Sequence, residues 1–191
     1  MIDLKTFLNT LTPISSDSWI KFSGLFTPKV LKKGDYFLND GQVAKEIGFL
    51  ENGIIRAFYR NAEATEYNKH FFINPSFIGG YVSLTKDVPN QIIQQALTDC
   101  TILVANYAEI KKLYETHQDI ERAARILAEL SFAQKEQREI EIVLLDAEKR
   151  YQIFQKDYPQ LEQLIPQYHI ASYLGITPTQ LSRIRKKRCN K

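Results

Sequence analysis

Seven polar side chains crowd one short run near the C-terminus: Thr179, Gln180, Ser182, Arg183, Arg185, Lys186 and Lys187. Hydroxyl, amide and guanidinium groups can exchange hydrogen bonds with base edges, and lysine and arginine can neutralise phosphates. Only Leu181 and Ile184 are apolar in this run. They fall three residues apart, so a helix would turn both inward and the polar set outward. Just upstream, Thr177 supplies an N-cap, Pro178 fits the first helical position, and Gln180 completes a Thr-x-x-Gln capping box. Before them, Ile170 and Leu174 share one helical face, and Ala171 is small where a second helix must approach. Gly175 can take the left-handed conformation that turns the chain, and Ile176 plugs the turn. Tyr168 and His169, on the first helix, join the set as expected phosphate contacts. Residues 165–188 therefore read as a helix-turn-helix aimed at duplex DNA. The plainer reading is a helical hairpin with a basic surface. The agreement of small residue, glycine, capping box and basic outer face argues against it.

The charge distribution says the same. Net charge is only +3, yet Arg183, Arg185, Lys186, Lys187, Arg188 and Lys191 cluster with no acid among them. Such a block suits a polyanion, or serves as a solubilising tail. Cys100 and Cys189 match no metal-ligand spacing, so no disulfide framework, metal site or iron–sulfur cluster is expected. No cofactor is expected either. His70 and His117 could serve as haem ligands, but lone histidines are more often ordinary surface or core residues. No catalytic Ser-His-Asp or Cys-His set and no phosphate-binding glycine loop stands out, so an enzyme is the weakest reading. The first residues lack the apolar region of a signal peptide, and no apolar run could span a bilayer. The expected location is the cytoplasm, with no membrane partner.

The rest of the 191 residues must hold this unit in place. Leu4, Phe7, Leu8 and Leu11 recur at helical spacing. After Pro13, Ser16 or Asp17 could cap a second helix through Trp19, Ile20 and Phe22. From Lys29 to Ala105, glycine punctuation separates short β-rich runs, as in an antiparallel sandwich or barrel. Asn52-Gly53, between Ile47–Leu50 and Ile54–Tyr59, signals a two-residue hairpin. Further strands are expected over 66–73, 91–97 and 101–105. From Tyr107 to Asp146 the period lengthens into one long helix. Its stripe Ile120, Ala123, Leu127, Leu130 and Gln134 suits either packing on the β domain or, preferably, pairing with a second copy. Glu136, Arg138, Glu139 and Lys149 are expected on exposed faces. A last helix, 147–158, precedes Pro159.

Three stretches together resemble the Crp–Fnr superfamily of bacterial transcription regulators, in its compact Bacteroidetes-type branch. One is Lys32-Lys33-Gly34-Asp35-Tyr36-Phe37-Leu38-Asn39-Asp40-Gly41 with the Gly53 turn. Another is Glu148-Lys149-Arg150-Tyr151 leading to Tyr158-Pro159. The most specific runs from Ile170 to Pro178 and on through Leu181-Ser182-Arg183-Ile184-Arg185. The resemblance implies an α+β chain in three parts: a cyclic-nucleotide-binding-like β-roll (jelly roll, cupin-like) over 1–106, a dimerisation helix over 107–146, and a DNA-binding helix-turn-helix over 147–191. It implies a homodimer on a palindromic operator, with half-sites about one helical turn apart. It places Arg183 where the family reads guanine, and makes RNA polymerase a possible further partner. Pro178 and Thr179 stand where better-known members carry arginine and glutamate, so the operator should differ from theirs.

The sensor region departs from the family. A cyclic nucleotide's buried phosphate needs a cation or several donors. The expected Gly-Glu pair aligns with Gly79-Gly80 and the expected arginine pair with Asn90-Gln91, so both anchors are missing. Cyclic AMP should bind weakly or not at all. Gly79, Gly80, Tyr81, Ser83, Asn90, Gln91 and Gln94 (with neighbouring Gln95) leave two readings: a pocket for an unknown neutral effector, or a filled scaffold, which is slightly preferred. A ligand-sensing or protein-interaction module whose C-terminal helices bind no DNA is the alternative to the regulator.

Overall fold

The computed structural model describes residues 1–189, and side chains through Lys187. The chain divides into two compact units. One comprises residues 1–58 and 71–130, the other residues 59–70 and 131–191.

The first unit opens with two short helices. In α1 (Leu4–Leu11), Asp3 caps the free amide of Thr6 while Leu4 and Leu8 turn inward. In α2 (Ser16–Ser23) the cap is Ser15, one residue earlier than the sequence suggests, and Asp17 lies in the first turn. Asp119 explains the choice. Its carboxylate accepts from the Ser15 amide at 2.8 Å and the Ser18 hydroxyl at 2.6 Å. These bonds outweigh the effect of burial and hold its pKa down at about 2.

Eight strands follow: β1 (Thr27–Leu31), β2 (Tyr36–Leu38), β3 (Glu46–Asn52), β4 (Ile55–Arg60), β5 (Glu66–Phe72), β6 (Ser76–Ile78), β7 (Ile93–Ala96) and β8 (Cys100–Asn106). They form two sheets, in the orders β1-β8-β3-β6 and β2-β7-β4-β5. This corrects the Asn52-Gly53 expectation. The turn exists, and Gly53 has φ +102°, but β3 and β4 enter different sheets instead of pairing. Both strands carry nearly unbroken buried runs, which suits strands that feed a two-sheet core better than an alternating hairpin. Gly53 also sits against β8: a Cβ there would lie 2.5 Å from Cys100 Sγ.

Leu31, Leu50, Ile55, Ile78, Ala96, Cys100, Ile102 and Val104 fill the core between the sheets. A second cluster joins Leu4, Leu8, Phe22, Phe49, Ala105 and Ile110 to Ile120 and Ala123. The long helix expected from Tyr107 is two helices, α4 (Tyr107–Leu113) and α5 (Gln118–Leu144). At the break, the His117 amide returns to the Leu113 carbonyl, and the His117 ring lies 3.4 Å from the Asp17 carboxylate. A short helix, α3 (Tyr81–Lys86), lies between β6 and β7.

The second unit holds the end of β4, most of β5, the remainder of α5, and α6 (Ala147–Asp157), α7 (Leu161–Leu164), α8 (Gln167–Leu174) and α9 (Pro178–Cys189). Its core gathers Tyr151, Phe154, Tyr158, Leu161, Ile165, Ile170, Ala171, Tyr173, Leu174 and Leu181. The rings of Phe154, Tyr158 and Tyr173 pack 5.4–5.9 Å apart. Among the described residues, no helix is long and apolar enough to cross a membrane.

Candidate nucleic-acid interface

The interface is built on α8 and α9. Gly175 ends α8 with φ +68°, the left-handed conformation that the turn requires. The capping box forms as the sequence implies. The Gln180 amide donates to Thr177 Oγ1, and the Thr177 amide donates to Gln180 Oε1, each at 3.2 Å. Ala171, Ile170 and Leu174 are fully buried, as is Leu181 on the inner face of α9. Ile184 is half-buried, while Thr177, Pro178, Thr179, Gln180, Ser182, Arg183, Arg185, Lys186 and Lys187 all face outward. The elements thus bring the expected polar set onto one exposed face.

That face is not uniformly positive in effect. Lys187 Nζ lies 3.0 Å from Glu148 Oε2 of α6, and Arg185 Nε lies 3.5 Å from Glu162 Oε1 of α7. Arg183 and Lys186 have no ion pair among the described residues. The four cations therefore fall into two classes: two held by carboxylates of their own unit, and two open to an anion. Glu162 is held in turn by the Tyr151 hydroxyl and the Gln155 amide, at 2.7 and 3.1 Å. Burial, then the bond to Glu162, pushes the Tyr151 phenol up to about 12.

One expected surface residue is elsewhere. His169 is only 5% exposed, and its ring Nδ1 lies 3.3 Å from Asn68 Nδ2 of β5. His169 is thus an interior group, because α8 turns this position toward β5 and away from solvent. Tyr168 beside it is exposed. Lys191 lies outside the described residues, as do the side chains of Arg188 and Cys189.

Two further residues support the unit, and nothing in the sequence assigns either of them this role. The Arg138 guanidinium stacks 4.0 Å over the Tyr173 ring, donates to the Tyr173 carbonyl and pairs with Glu141 at 3.2 Å. Expected on an exposed face, it is instead largely covered. Arg150 donates to the Leu174 carbonyl at 3.2 Å and to the Leu145 carbonyl at 2.6 Å. Both arginines thus satisfy carbonyls at the C-terminal end of α8, where cations are favoured. The only sequence signal was a pair of arginines on helices preceding the motif.

The expected effector residues, in the first unit, divide as well. Gly79, Gly80, Ser83, Asn90 and Gln94 come together, whereas Tyr81 and Gln91 are exposed. The polar groups of the assembled residues bond mostly to the surrounding backbone, and Gln94 Oε1 is left buried without a partner among the described residues. Gln94 Nε2 donates to the Gly79 carbonyl at 2.8 Å, and Asn90 Nδ2 donates to the carbonyls of Asn39 and Ile92. Ser83 Oγ donates to the Val88 carbonyl and accepts from the Ala44 amide. At Gly80 a Cβ would lie 2.6 Å from Leu38 Cδ2 and 2.8 Å from Asn90 Oδ1. A side chain at this position, where the family's carboxylate would align, requires the Leu38 and Asn90 side chains to shift.

No protein-family profile matches the sequence, and no curated protein matches it. Solved structures do. FixK2 from Bradyrhizobium japonicum superposes with a TM-score of 0.75 at 13% identity, over 85% of this chain and 83% of its own. A Crp/Fnr-family transcriptional regulator from Eubacterium rectale gives 0.71 at 14% identity, over 91% and 83%. A CooA variant from Carboxydothermus hydrogenoformans gives 0.69 at 17% identity, over 98% and 85%. The chain has the fold of the Crp/Fnr-type transcriptional regulators, from the β-roll through the long helix to the C-terminal helices.

Proposed function

We propose that the protein is a DNA-binding transcriptional regulator of the Crp/Fnr type that acts as a homodimer on a palindromic operator. The observation that carries this is α9: a capped helix with Leu181 buried and Arg183, Lys186 and their polar neighbours exposed. In this reading Arg183 donates to guanine O6 and N7, and Gln180 and Ser182 reach base edges. Lys186, with Tyr168 and the amides at the start of α8, holds phosphates.

The homodimer reading rests on α5. Ile120 and Ala123 are committed to the core of their own unit and Leu127 is half-buried, so the surface available to a second copy begins further along. Leu130, Phe132, Val143 and Leu144 are 56–78% exposed. Large apolar side chains this open on one helix suit burial against a second copy. Gln134 sits among them, also exposed.

The β-roll acts as a scaffold that takes cyclic AMP weakly or not at all, because Gly79-Gly80 and Asn90-Gln91 supply neither the carboxylate nor the arginine and a Cβ at Gly80 would meet Leu38 and Asn90. The protein works in the cytoplasm, with RNA polymerase as a downstream partner and no catalytic step of its own. Selecting bound sequences from a random duplex pool tests the central claim. A palindromic consensus with half-sites about one turn apart, bound with a steep salt dependence, supports it. Binding to no duplex at low salt would move the assignment to a protein-interaction module.

A further inference from the structure

The second unit contains a strand that sequence order places far from its helices. Residues 59–70, the end of β4 and most of β5, cluster with α8 and α9. Four polar contacts make the join. The Asn68 amide donates to Ser172 Oγ at 2.9 Å, and Ser172 Oγ donates to the Glu66 carbonyl at 2.9 Å. Asn68 Nδ2 donates to the His169 carbonyl at 2.9 Å and lies 3.3 Å from His169 Nδ1. Asn68 is fully buried.

The chemistry is directional. A backbone carbonyl only accepts, so the His169 carbonyl requires the amide nitrogen of Asn68, not its oxygen, on this side. That nitrogen is also the group facing the imidazole. His169 Nδ1, 3.3 Å away, can accept from that nitrogen in the tautomer that carries its proton on Nε2. Asn68 is thus matched to one rotation of α8: turning the helix would separate the amide from both His169 acceptors and Ser172 from the strand.

We propose that Asn68 is a positioning residue for DNA recognition, holding α8, and through it α9, in the orientation that reads an operator. This rests on the DNA-binding reading above. The alternative, a contact that masks the interface, is at odds with the geometry. With the contact formed, every residue from Thr177 to Gln180, together with Ser182, Arg183 and Arg185 to Lys187, remains exposed. Asn68 thus does for α8 what an added wing strand would do: it fixes the helix from the side away from DNA.

The test uses the full chain and an operator recovered from the random pool. Affinity for that operator and for a scrambled duplex is measured for the wild type, Asn68→Leu and Ser172→Ala. Asn68→Leu keeps the number and branching of heavy atoms, though not the volume, and removes the amide; Ser172→Ala removes two of the bonds with little change in shape. The expected result is about a tenfold loss of operator affinity in each folded variant, with scrambled-duplex affinity and salt slope nearly unchanged. Amide exchange should quicken in α8. If both variants melt earlier yet keep the wild-type ratio of operator to scrambled affinity, Asn68 is merely structural and the proposal fails. If Asn68→Leu does not fold, Ser172→Ala decides alone. A wild type that binds neither duplex overturns the DNA-binding reading itself, a different outcome from variants that bind as the wild type does.

Discussion

Replacing Glu148 by glutamine should strengthen DNA binding, although Glu148 is on α6 and outside the proposed recognition surface. Lys187 is 3.0 Å from its carboxylate, with the two side chains 64% and 33% exposed. Exposed pairs of this kind are worth roughly 0.2–1 kcal/mol. A lysine that must leave its carboxylate to reach a phosphate forfeits that amount. Releasing it should therefore raise affinity by about 1.4–5-fold per half-site, or about 2–30-fold for a two-fold complex. Each lysine freed to displace a counterion should also steepen the slope of log K against log salt by about 0.9. Fluorescence anisotropy on a labelled duplex between about 50 and 200 mM salt resolves both effects. The decisive comparison is a double-mutant cycle. Lys187→Ala should cost little in the wild type, where the lysine is already engaged, and more in the Glu148→Gln background. Lys186→Ala, which removes a lysine with no carboxylate partner among the described residues, should cost the same in both. If Glu148→Gln leaves affinity and slope unchanged and the Lys187→Ala penalty is equal in both backgrounds, the pair does not govern the interface. A helix-end effect of a few tenths of a kcal/mol on stability accompanies loss of this acid from the first turn of α6, and a melting curve separates it from binding.

Other expectations follow from single contacts. Arg183→Ala should weaken operator binding by about 1–3 kcal/mol per half-site and relax preference at one base pair, read by competition with single-site operator variants. Gly80→Ala should destabilise the first unit by about 1–3 kcal/mol in urea titration, since its Cβ would meet Leu38 and Asn90 under van der Waals distance. Gly80→Glu should not create cyclic AMP binding by isothermal titration; micromolar affinity would show that the packing yields. Phe132→Glu with Val143→Glu, both on the open part of α5, should shift the protein to monomer in analytical ultracentrifugation while the fold, by circular dichroism, persists. Burial, aided by the nearby charges of Lys69 and Arg138, lowers the His70 pKa to about 4. The unfolded histidine, near 6.5, takes up its proton first as pH falls. Stability linked to His70 is therefore complete above about pH 6.5 and declines toward pH 4. His70→Gln should flatten this window in urea midpoints measured at several pH values; an unchanged slope would show that His70 is already solvated.

Local signals carried the recognition motif. Gly175, the Thr177–Gln180 box and the Leu181 stripe are decided by residues within four positions of one another, and each forms as read. Pairings set by distant residues were not legible. Asn52-Gly53 correctly demands a positive φ, but whether its flanking strands pair depends on β6, β7 and β8 competing for their edges. Period alone could not assign the two ends of α5. Ile120 and Ala123 meet the core cluster of the first unit, while Leu130 and Val143 meet nothing among the described residues of their own chain that covers them. Arg138 illustrates the limit on charge. A helix-surface arginine and one buried over Tyr173 look alike in sequence, because a long stem can reach a carbonyl that no spacing rule encodes.

The same limit explains why the interface looked more uniformly basic in sequence than it is in space. Glu148 and Glu162 lie well upstream of the basic run, and no window over that run includes them. The fold returns them to Lys187 and Arg185, leaving Arg183 and Lys186 as the open cations among the described residues. Affinity and selectivity can then be adjusted separately. In the proposed DNA complex, exchanging an acid on α6 or α7 would change how many cations are free to neutralise phosphates, while α9 would keep its proposed base-reading side chains. In the proposal above, the buried join through Asn68 sets the angle at which they are presented. On this arrangement, changes at Glu148 should move the salt slope without moving base preference, and changes at Arg183 should do the reverse. A variant at either position that moved both together would show that the cations of α9 act as one undivided patch.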